Sequence, residues 1–179
     1  MKKDTGAKII GGNGIRIEND FYPTPPEVTA ALMDFLKLPI CTVWEPACGE
    51  LAISNVVKRY GHSVISTDLV TGDSFFSTHR EADAIITNPP FKLAGEFISK
   101  AVKDAPVVAM LLKTQYWHAA KRSKLFIDNP PAYILALTWR PNFFGDKATG
   151  SPTMDFIWTV WKEGETDTRY RLLTPPATP

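Results

Sequence analysis

Residues 82–91 read Ala82-Asp83-Ala84-Ile85-Ile86-Thr87-Asn88-Pro89-Pro90-Phe91, a short apolar run that ends in an amide, two prolines and an aromatic ring. The run predicts a buried strand, whose end lies at the carboxyl edge of a sheet, where open α/β sheets bind ligands. Two consecutive prolines remove two backbone donors and fix two φ angles. We therefore predict a stiff turn whose carbonyls point outward, unpaired, and form an acceptor cluster with Asn88.

Such an acceptor cluster suits the transfer of an electrophilic group to an exocyclic or amide nitrogen. Hydrogen bonds to the Asn88 oxygen and a proline-flanked carbonyl would hold the protons of the amine and free its lone pair for attack. Phe91 would stack on a planar substrate, a contact worth roughly 1–3 kcal/mol for nucleic-acid bases. A bare Asn-Pro-Pro is more often a tight strand-to-loop turn with a packed aromatic, so the rest of the chain must decide.

Short apolar strands alternate with amphipathic helices on both sides of this turn. A helix is predicted after Pro26, strands at 41–44, 63–67, 82–87 and 107–112, and helices at 51–60, 93–103 and 115–126. The alternation predicts βαβ units and thus a doubly wound, Rossmann-like, mainly parallel α/β sheet. Strands predicted at 133–138 and 155–161 have no helix between them and would form an antiparallel hairpin at the C-terminal edge.

Length and composition predict one soluble domain. The chain has 179 residues, of which 44% are hydrophobic and 22% charged. We assign residues 21–173 to the domain, residues 1–20 to a mobile arm and the proline-rich residues 174–179 to a disordered tail. A net charge of +1 gives no global basic field, so any contact with nucleic acid depends on local clustering.

The sequence predicts neither a membrane segment nor a metal site. No apolar stretch approaches the roughly 20 residues of a membrane span, and no apolar signal core follows Met1-Lys2-Lys3-Asp4. Two cysteines and three scattered histidines offer neither a disulfide framework nor a zinc spacing. We therefore expect a cytoplasmic protein.

Polar or glycine residues follow three predicted strands at the same sheet edge. Glu45-Pro46-Ala47-Cys48-Gly49 ends the first strand, Asp68 the second, and Asn88 the third. Asp68 would accept hydrogen bonds from a ribose diol or cap a helix, and Gly49 would allow close approach of a ligand or simply form a turn. Glu45 would bind an ammonium group. Asp73 with Phe75 or Phe76 would hold adenine or form an Asx turn over core aromatics.

In these motifs the chain resembles the class I S-adenosylmethionine-dependent methyltransferases, and among them the enzymes, including small phage-borne ones, that methylate adenine N6 in DNA. The resemblance covers about residues 20–162 and also includes Asp20-Phe21-Tyr22-Pro23-Thr24-Pro25 before the first helix. It implies S-adenosylmethionine as cofactor, held by Phe21, Tyr22, Thr24, Glu45, Ala47, Gly49, Asp68, Asp73 and Phe75. It also implies that Asn88, Pro89, Pro90 and Phe91 hold an adenine flipped out of DNA.

The chain departs from this family in two places. Where the family has Gly-x-Gly, it has Gly49-Glu50-Leu51, so the loop would lie farther from the cofactor and bind it more weakly. Between the proline turn and residue 162, where the resemblance ends, only about 70 residues remain, too few for the usual added target-recognition region. Sequence specificity would then be slight, or supplied by a partner or a second copy of the chain.

A basic and aromatic rim is predicted beside the pocket. Its basic members are Lys113, His118, Lys121, Arg122, Lys124 and Arg140, and its aromatic members are Tyr116, Trp117, Phe143 and Phe144. The other interpretation is a solvated helix face with a few core aromatics. DNA is favoured over RNA and over protein glutamine amides, which are also planar nitrogen targets, and a catalytically silent binding subunit is an interpretation of another class.

Overall fold

The computed structural model describes residues 23–143 and 154–176. The predicted arm, Phe21, Tyr22, Phe144 and the end of the predicted tail lie outside these ranges. The helices are α1 (Pro26–Leu36), α2 (Ala52–Arg59), α3 (Ala94–Asp104) and α4 (Ser123–Asp128). The strands are β1 (Thr42–Glu45), β2 (Ser63–Ser66), β3 (Ala84–Thr87), β4 (Val107–Lys113), β5 (Tyr133–Leu137), β6 (Phe156–Lys162) and β7 (Arg169–Leu173).

The described strands form one seven-stranded sheet in the order β2-β1-β3-β4-β6-β5-β7. β1 pairs in parallel with β2 and β3, and β3 with β4, whereas β6 runs antiparallel to both β4 and β5. The predicted α/β class, the mainly parallel sheet and the antiparallel pair are confirmed. β7, which the sequence did not predict, extends the sheet beyond β5 in the parallel direction.

Apolar side chains cover both faces of the sheet, as expected for alternating strands and helices. On one face, Leu32 of α1 and Trp158 of β6 belong to the same core cluster, and the Trp158 Nε1 donates to the Val28 carbonyl at 3.0 Å. On the other face, Phe97 of α3 packs with Trp44, whose Nε1 donates to Thr67 Oγ1 at 2.8 Å. Both buried indole N–H groups are therefore satisfied, which favours a single packing arrangement.

The predicted helix at 115–126 is wrong in its extent, because the segment is broken. Two 3₁₀ turns, Thr114–Trp117 and Ala120–Arg122, precede the short α4, and Ala119 between them is extended with φ −131° and ψ 116°. The Arg122 guanidinium donates to the Tyr116 carbonyl at 2.7 Å. A side chain thus occupies a carbonyl that an uninterrupted helix would pair with a backbone N–H.

No helix in the described ranges has both the length and the apolar character needed to cross a bilayer.

Candidate functional site

The strand order reverses at β1 and β3, and the position outside their carboxyl ends is here named the crevice. β1 lies between β2 and β3 in the sheet. The chain therefore runs from β1 to β2 on one side and later crosses over to form β3 on the other side. Open α/β sheets bind ligands where the strand order reverses in this way, outside the carboxyl ends of the strands. The loop after β1 and the Asn88 turn after β3 flank that point. The structure thus brings these two sequence motifs to one edge.

Backbone and carboxylate hydrogen bonds hold the loop after β1 against the end of β2. The Cys48 N–H donates to the Thr67 carbonyl at 3.0 Å, and the Gly49 N–H donates to Asp68 Oδ2 at 2.9 Å. Gly49 has φ 45°, in the left-handed region that glycine adopts without strain. Burial raises the pKa of Cys48 to about 11, so this thiol stays neutral.

Asp68 holds two backbone segments at once. Its Oδ2 accepts from Gly49, while its Oδ1 accepts from the Val70 N–H at 2.9 Å and caps the 3₁₀ turn Leu69–Thr71. The capping interpretation of Asp68 therefore holds. The side chain is only half-buried, and each carboxylate oxygen has a second lone pair, so it can also accept from a ligand hydroxyl.

Leu51 was identified in the sequence only as a missing glycine, and the structure gives that substitution a physical meaning. Leu51 precedes α2 with φ 65° and ψ 24°, a left-handed conformation that costs a residue with a Cβ about 1–2 kcal/mol. Its N–H donates to the Cys48 carbonyl at 2.7 Å, which closes the loop. The loop therefore keeps a glycine-type backbone without the glycine.

Glu45 points into the protein. It is 2% exposed, and its carboxyl accepts from the backbone N–H of Ser54 at 2.8 Å and from the Ser54 hydroxyl, which in turn contacts Ser66 Oγ at 2.6 Å. Burial raises the pKa of Glu45 to about 8, while the hydrogen bonds from Ser54 oppose that shift. The carboxyl expected to bind an ammonium group is thus engaged by the first turn of α2. Ala47 is half-buried and packs against the core on the α3 face.

The two predicted adenine contacts differ in accessibility. Asp73 is partly exposed, and its Oδ1 lies 3.4 Å from the Arg80 Nη2. Phe75 is 3% exposed, with its ring centroid 5.0 Å from that of Trp44 and 4.7 Å from that of Phe97. The structure therefore favours the core interpretation of Phe75. The neighbouring Phe76 is 45% exposed.

Thr24 orients the side chain of Asn88. The Asn88 Nδ2 donates to the Oγ1 of Thr24 at 3.2 Å, across 64 positions of sequence, and Thr24 is 3% exposed. Pro89, the next residue, is buried. The expectation of unpaired proline carbonyls is wrong for Pro90, whose carbonyl accepts from the Leu93 N–H at 2.9 Å as the chain turns into α3. The Pro90 carbonyl is thus already paired within the protein.

Phe91 contacts both a lysine and an aromatic cluster. The Lys113 ammonium, at the end of β4, lies 3.8 Å from the Phe91 ring centroid, a cation–π contact. The Phe156 centroid lies 6.1 Å away on β6, and Phe143 packs on Phe156 at 4.4 Å. Phe143 belongs to the core and not to an exposed rim, because it is 6% exposed.

Most of the predicted basic rim is engaged within the protein. Arg122 lies over the Tyr116 ring at 3.9 Å, Lys124 pairs with Asp128 at 2.8 Å, and Arg140 pairs with Asp155 at 2.7 Å. His118 and Lys121 are exposed. Trp117 stacks on Phe126 at a centroid distance of 3.9 Å. For much of the rim, these contacts favour the interpretation as a solvated helix face with a few core aromatics.

Within residues 23–143 and 154–176, no three His, Cys, Asp or Glu side chains converge on a point that could hold a metal ion.

Comparison with solved structures identifies proteins of the same fold. Two have functions that their names mark as putative, an RNA methyltransferase from Pyrococcus horikoshii and a modification subunit of a type I restriction enzyme from Vibrio vulnificus. The first is 16% identical, with a TM-score of 0.66 over 87% of this chain and 93% of that one. The second is 13% identical, with a TM-score of 0.60 over 89% of this chain and 48% of that one.

A dimethyladenosine transferase from Plasmodium falciparum is also similar, at 14% identity and a TM-score of 0.52 over 79% of this chain and 63% of that one. The present chain spans about half of the restriction-enzyme subunit. No protein-family model matches the chain, and no curated protein sequence matches it either. At these identities the similarity establishes the Rossmann-like α/β fold.

Proposed function

We propose that this chain transfers a methyl group from S-adenosylmethionine to the exocyclic N6 of adenine in DNA. The observation that carries the proposal is the side chain of Asn88, which Thr24 orients beside the crevice where the strand order reverses. With Nδ2 turned to Thr24, the other end of the amide, Oδ1, is the acceptor that an amino group requires. Methyltransferases with the same fold lend further support.

The residues around the crevice fit the cofactor in part. Gly49, with its positive φ, allows a ligand close to the backbone, and Asp68 offers carboxylate lone pairs to a ribose diol. Glu45 and Phe75 make their contacts inside the protein, so they contribute less than the resemblance implies. We expect the cofactor to be held mainly at Gly49, Asp68 and Asp73, with modest affinity.

When bound, S-adenosylmethionine supplies a methyl carbon attached to a sulfonium leaving group. The Asn88 Oδ1 and the Pro89 carbonyl would accept hydrogen bonds from the two N–H groups of the adenine amine and so direct its lone pair. The nitrogen needs no side chain to remove a proton before it attacks, because a proton can leave as the nitrogen becomes cationic. Orientation would therefore supply most of the rate acceleration. In a duplex, the adenine must first be flipped out, at a cost of a few kcal/mol.

Methyl-labelled S-adenosylmethionine, offered in parallel with unmethylated DNA, RNA and protein, tests the proposal. We expect label in DNA, with Asn88→Ala inactive and its cofactor affinity by calorimetry near wild type. Asn55→Ala, an exposed asparagine on α2, is the matched control and should stay fully active. Label in RNA or protein alone would exclude DNA as the substrate, and full turnover by Asn88→Ala would exclude the role of Asn88.

One observation favours a second candidate, a catalytically silent binding subunit. Glu45 and Phe75 make contacts inside the protein, and Leu51 stands where the family has glycine. If calorimetry detected nucleic-acid binding without any S-adenosylmethionine binding, this candidate would replace the enzymatic one.

We also propose that sequence specificity comes from a partner protein or a second copy of the chain. The similarity to a modification subunit of a restriction enzyme supports this, because the name of that protein describes one part of a larger assembly.

A further inference from the structure

We propose that the Lys113 ammonium covers the Phe91 ring and blocks stacking of the target base. It leaves the ring when it binds a phosphate of the nucleic-acid strand that carries that base. This inference deepens the proposed function and rests on it for the nucleic-acid substrate. It makes Lys113 a substrate-positioning residue that distinguishes bases joined to phosphates from bases or amides without them.

The Lys113 ammonium occupies the space that a stacked base requires. It lies 3.8 Å from the Phe91 ring centroid. In the same protein, Trp117 and Phe126 stack with centroids 3.9 Å apart and planes at 18°, which gives the separation of two stacked rings. An ammonium and a base cannot both be held at that distance over the same part of the ring. Stacking on Phe91 therefore requires Lys113 to move.

The aromatic cluster restricts the other approaches to Phe91. Phe156 lies 6.1 Å from it with its ring tilted by 40°, and it is itself 3% exposed and packed on Phe143. Phe91 is also packed against the main core cluster of that face. We therefore assign the base to the side of the ring that Lys113 covers.

A phosphate gives the displaced ammonium a suitable partner. Lys113 ends β4, the neighbour of β3, and so lies at the same carboxyl edge as Asn88. A strand whose base enters the crevice brings its phosphates to that edge, and a lysine side chain can swing about its flexible stem. In this step the Lys113 ammonium leaves the Phe91 ring and pairs with the phosphate. A free nucleoside or a glutamine amide has no phosphate to bind the ammonium, so Lys113 would stay over the Phe91 ring.

The salt dependence of binding tests this exchange. We would measure the affinity for a fluorescent single-stranded oligodeoxyadenylate of about 12 nucleotides at several salt concentrations. One phosphate contact in a single strand contributes about 0.7 to the slope of log K against log salt concentration, so Lys113→Met should lower the slope by about that amount. An unchanged slope would overturn the proposal.

Lys162→Met is the matched control. Lys162 also lies over an aromatic ring, that of Tyr133 at 5.5 Å, but it pairs with Val107 at the opposite end of β4. Its slope should equal that of wild type. An equal loss in both variants would show a general effect of charge and would also overturn the proposal.

The position of Lys113 can be followed without any catalysis. Over a phenyl ring, the ε-methylene protons of Lys113 should be shifted upfield in the NMR spectrum, and Phe91→Leu should abolish that shift. The oligonucleotide should also abolish it, while the Lys162 signals stay in place. If the oligonucleotide failed to bind, or bound without moving the Lys113 signal, the proposal would be wrong. Displacement of Lys113 without methyl transfer would keep this proposal and refute the proposed activity.

Discussion

The left-handed backbone at Leu51 predicts an unusual order of stability for two substitutions. Leu51→Ala and Leu51→Gly both remove the isopropyl end of the leucine side chain, so the two variants differ only in the Cβ. In the left-handed region that Cβ costs about 1–2 kcal/mol, whereas glycine loses about 0.5–1 kcal/mol more conformational entropy on folding. Because Leu51 has φ 65°, Leu51→Gly should be more stable than Leu51→Ala by roughly 0.5–1 kcal/mol.

Urea unfolding of both variants measures this difference. Asn55→Ala and Asn55→Gly, at an exposed position in α2, form the control pair, and there the alanine variant should be more stable by about 1 kcal/mol. The two pairs should therefore show opposite orders. If Leu51→Ala were as stable as Leu51→Gly, or more so, backbone strain at Leu51 would be refuted.

Three further predictions concern the crevice. Asp68→Ala removes two hydrogen bonds and should lower the free energy of unfolding, measured in urea, by roughly 2 kcal/mol. It should also weaken S-adenosylmethionine binding in calorimetry, and unchanged affinity would mean that Asp68 only caps the 3₁₀ turn. Burial raises the pKa of Glu45 from 4.5 to about 8, so the stability contributed by its proton is complete below pH 4.5 and lost as the pH rises through 8. Glu45→Gln should flatten this part of the plot of unfolding free energy against pH, and an unaltered plot would contradict a buried, protonated carboxyl. Phe75→Ala should cost about 3–5 kcal/mol and Phe76→Ala about 1 kcal/mol or less in the same assay, and the reverse order would contradict the core assignment of Phe75.

The architecture could be predicted because its strands carry strong local signals. β3 and β4 consist largely of buried apolar residues, and the polar residues Asn88 and Thr114 follow them, whereas β1 has two buried apolar residues, Val43 and Trp44. β7 escaped prediction because it is a charged edge strand, Arg169–Leu173, in which only Leu173 is buried. The break after Trp117 also escaped prediction, since it depends on a side-chain bond from Arg122 to a backbone carbonyl that helical periodicity does not encode.

The sequence located the crevice better than it located the contacts within it. The strand ends converge because parallel strands place their carboxyl ends at one edge of the sheet. The alternation of strands and helices in the sequence is enough to predict that arrangement. Whether Glu45 faces a ligand or Ser54 depends on a hydrogen bond to the following helix. The contact between Lys113 and Phe91 joins the last residue of β4 to the turn after the neighbouring β3, so the pairing of these strands had to be known first.

Mass analysis of the nucleosides from DNA treated with the protein and S-adenosylmethionine tests the central claim most directly. The oriented amide of Asn88 predicts N6-methyldeoxyadenosine with the wild-type protein and with Asn55→Ala, and none with Asn88→Ala. Product in equal amounts from Asn88→Ala, or no methylated deoxyadenosine from any of the three, would contradict the claim.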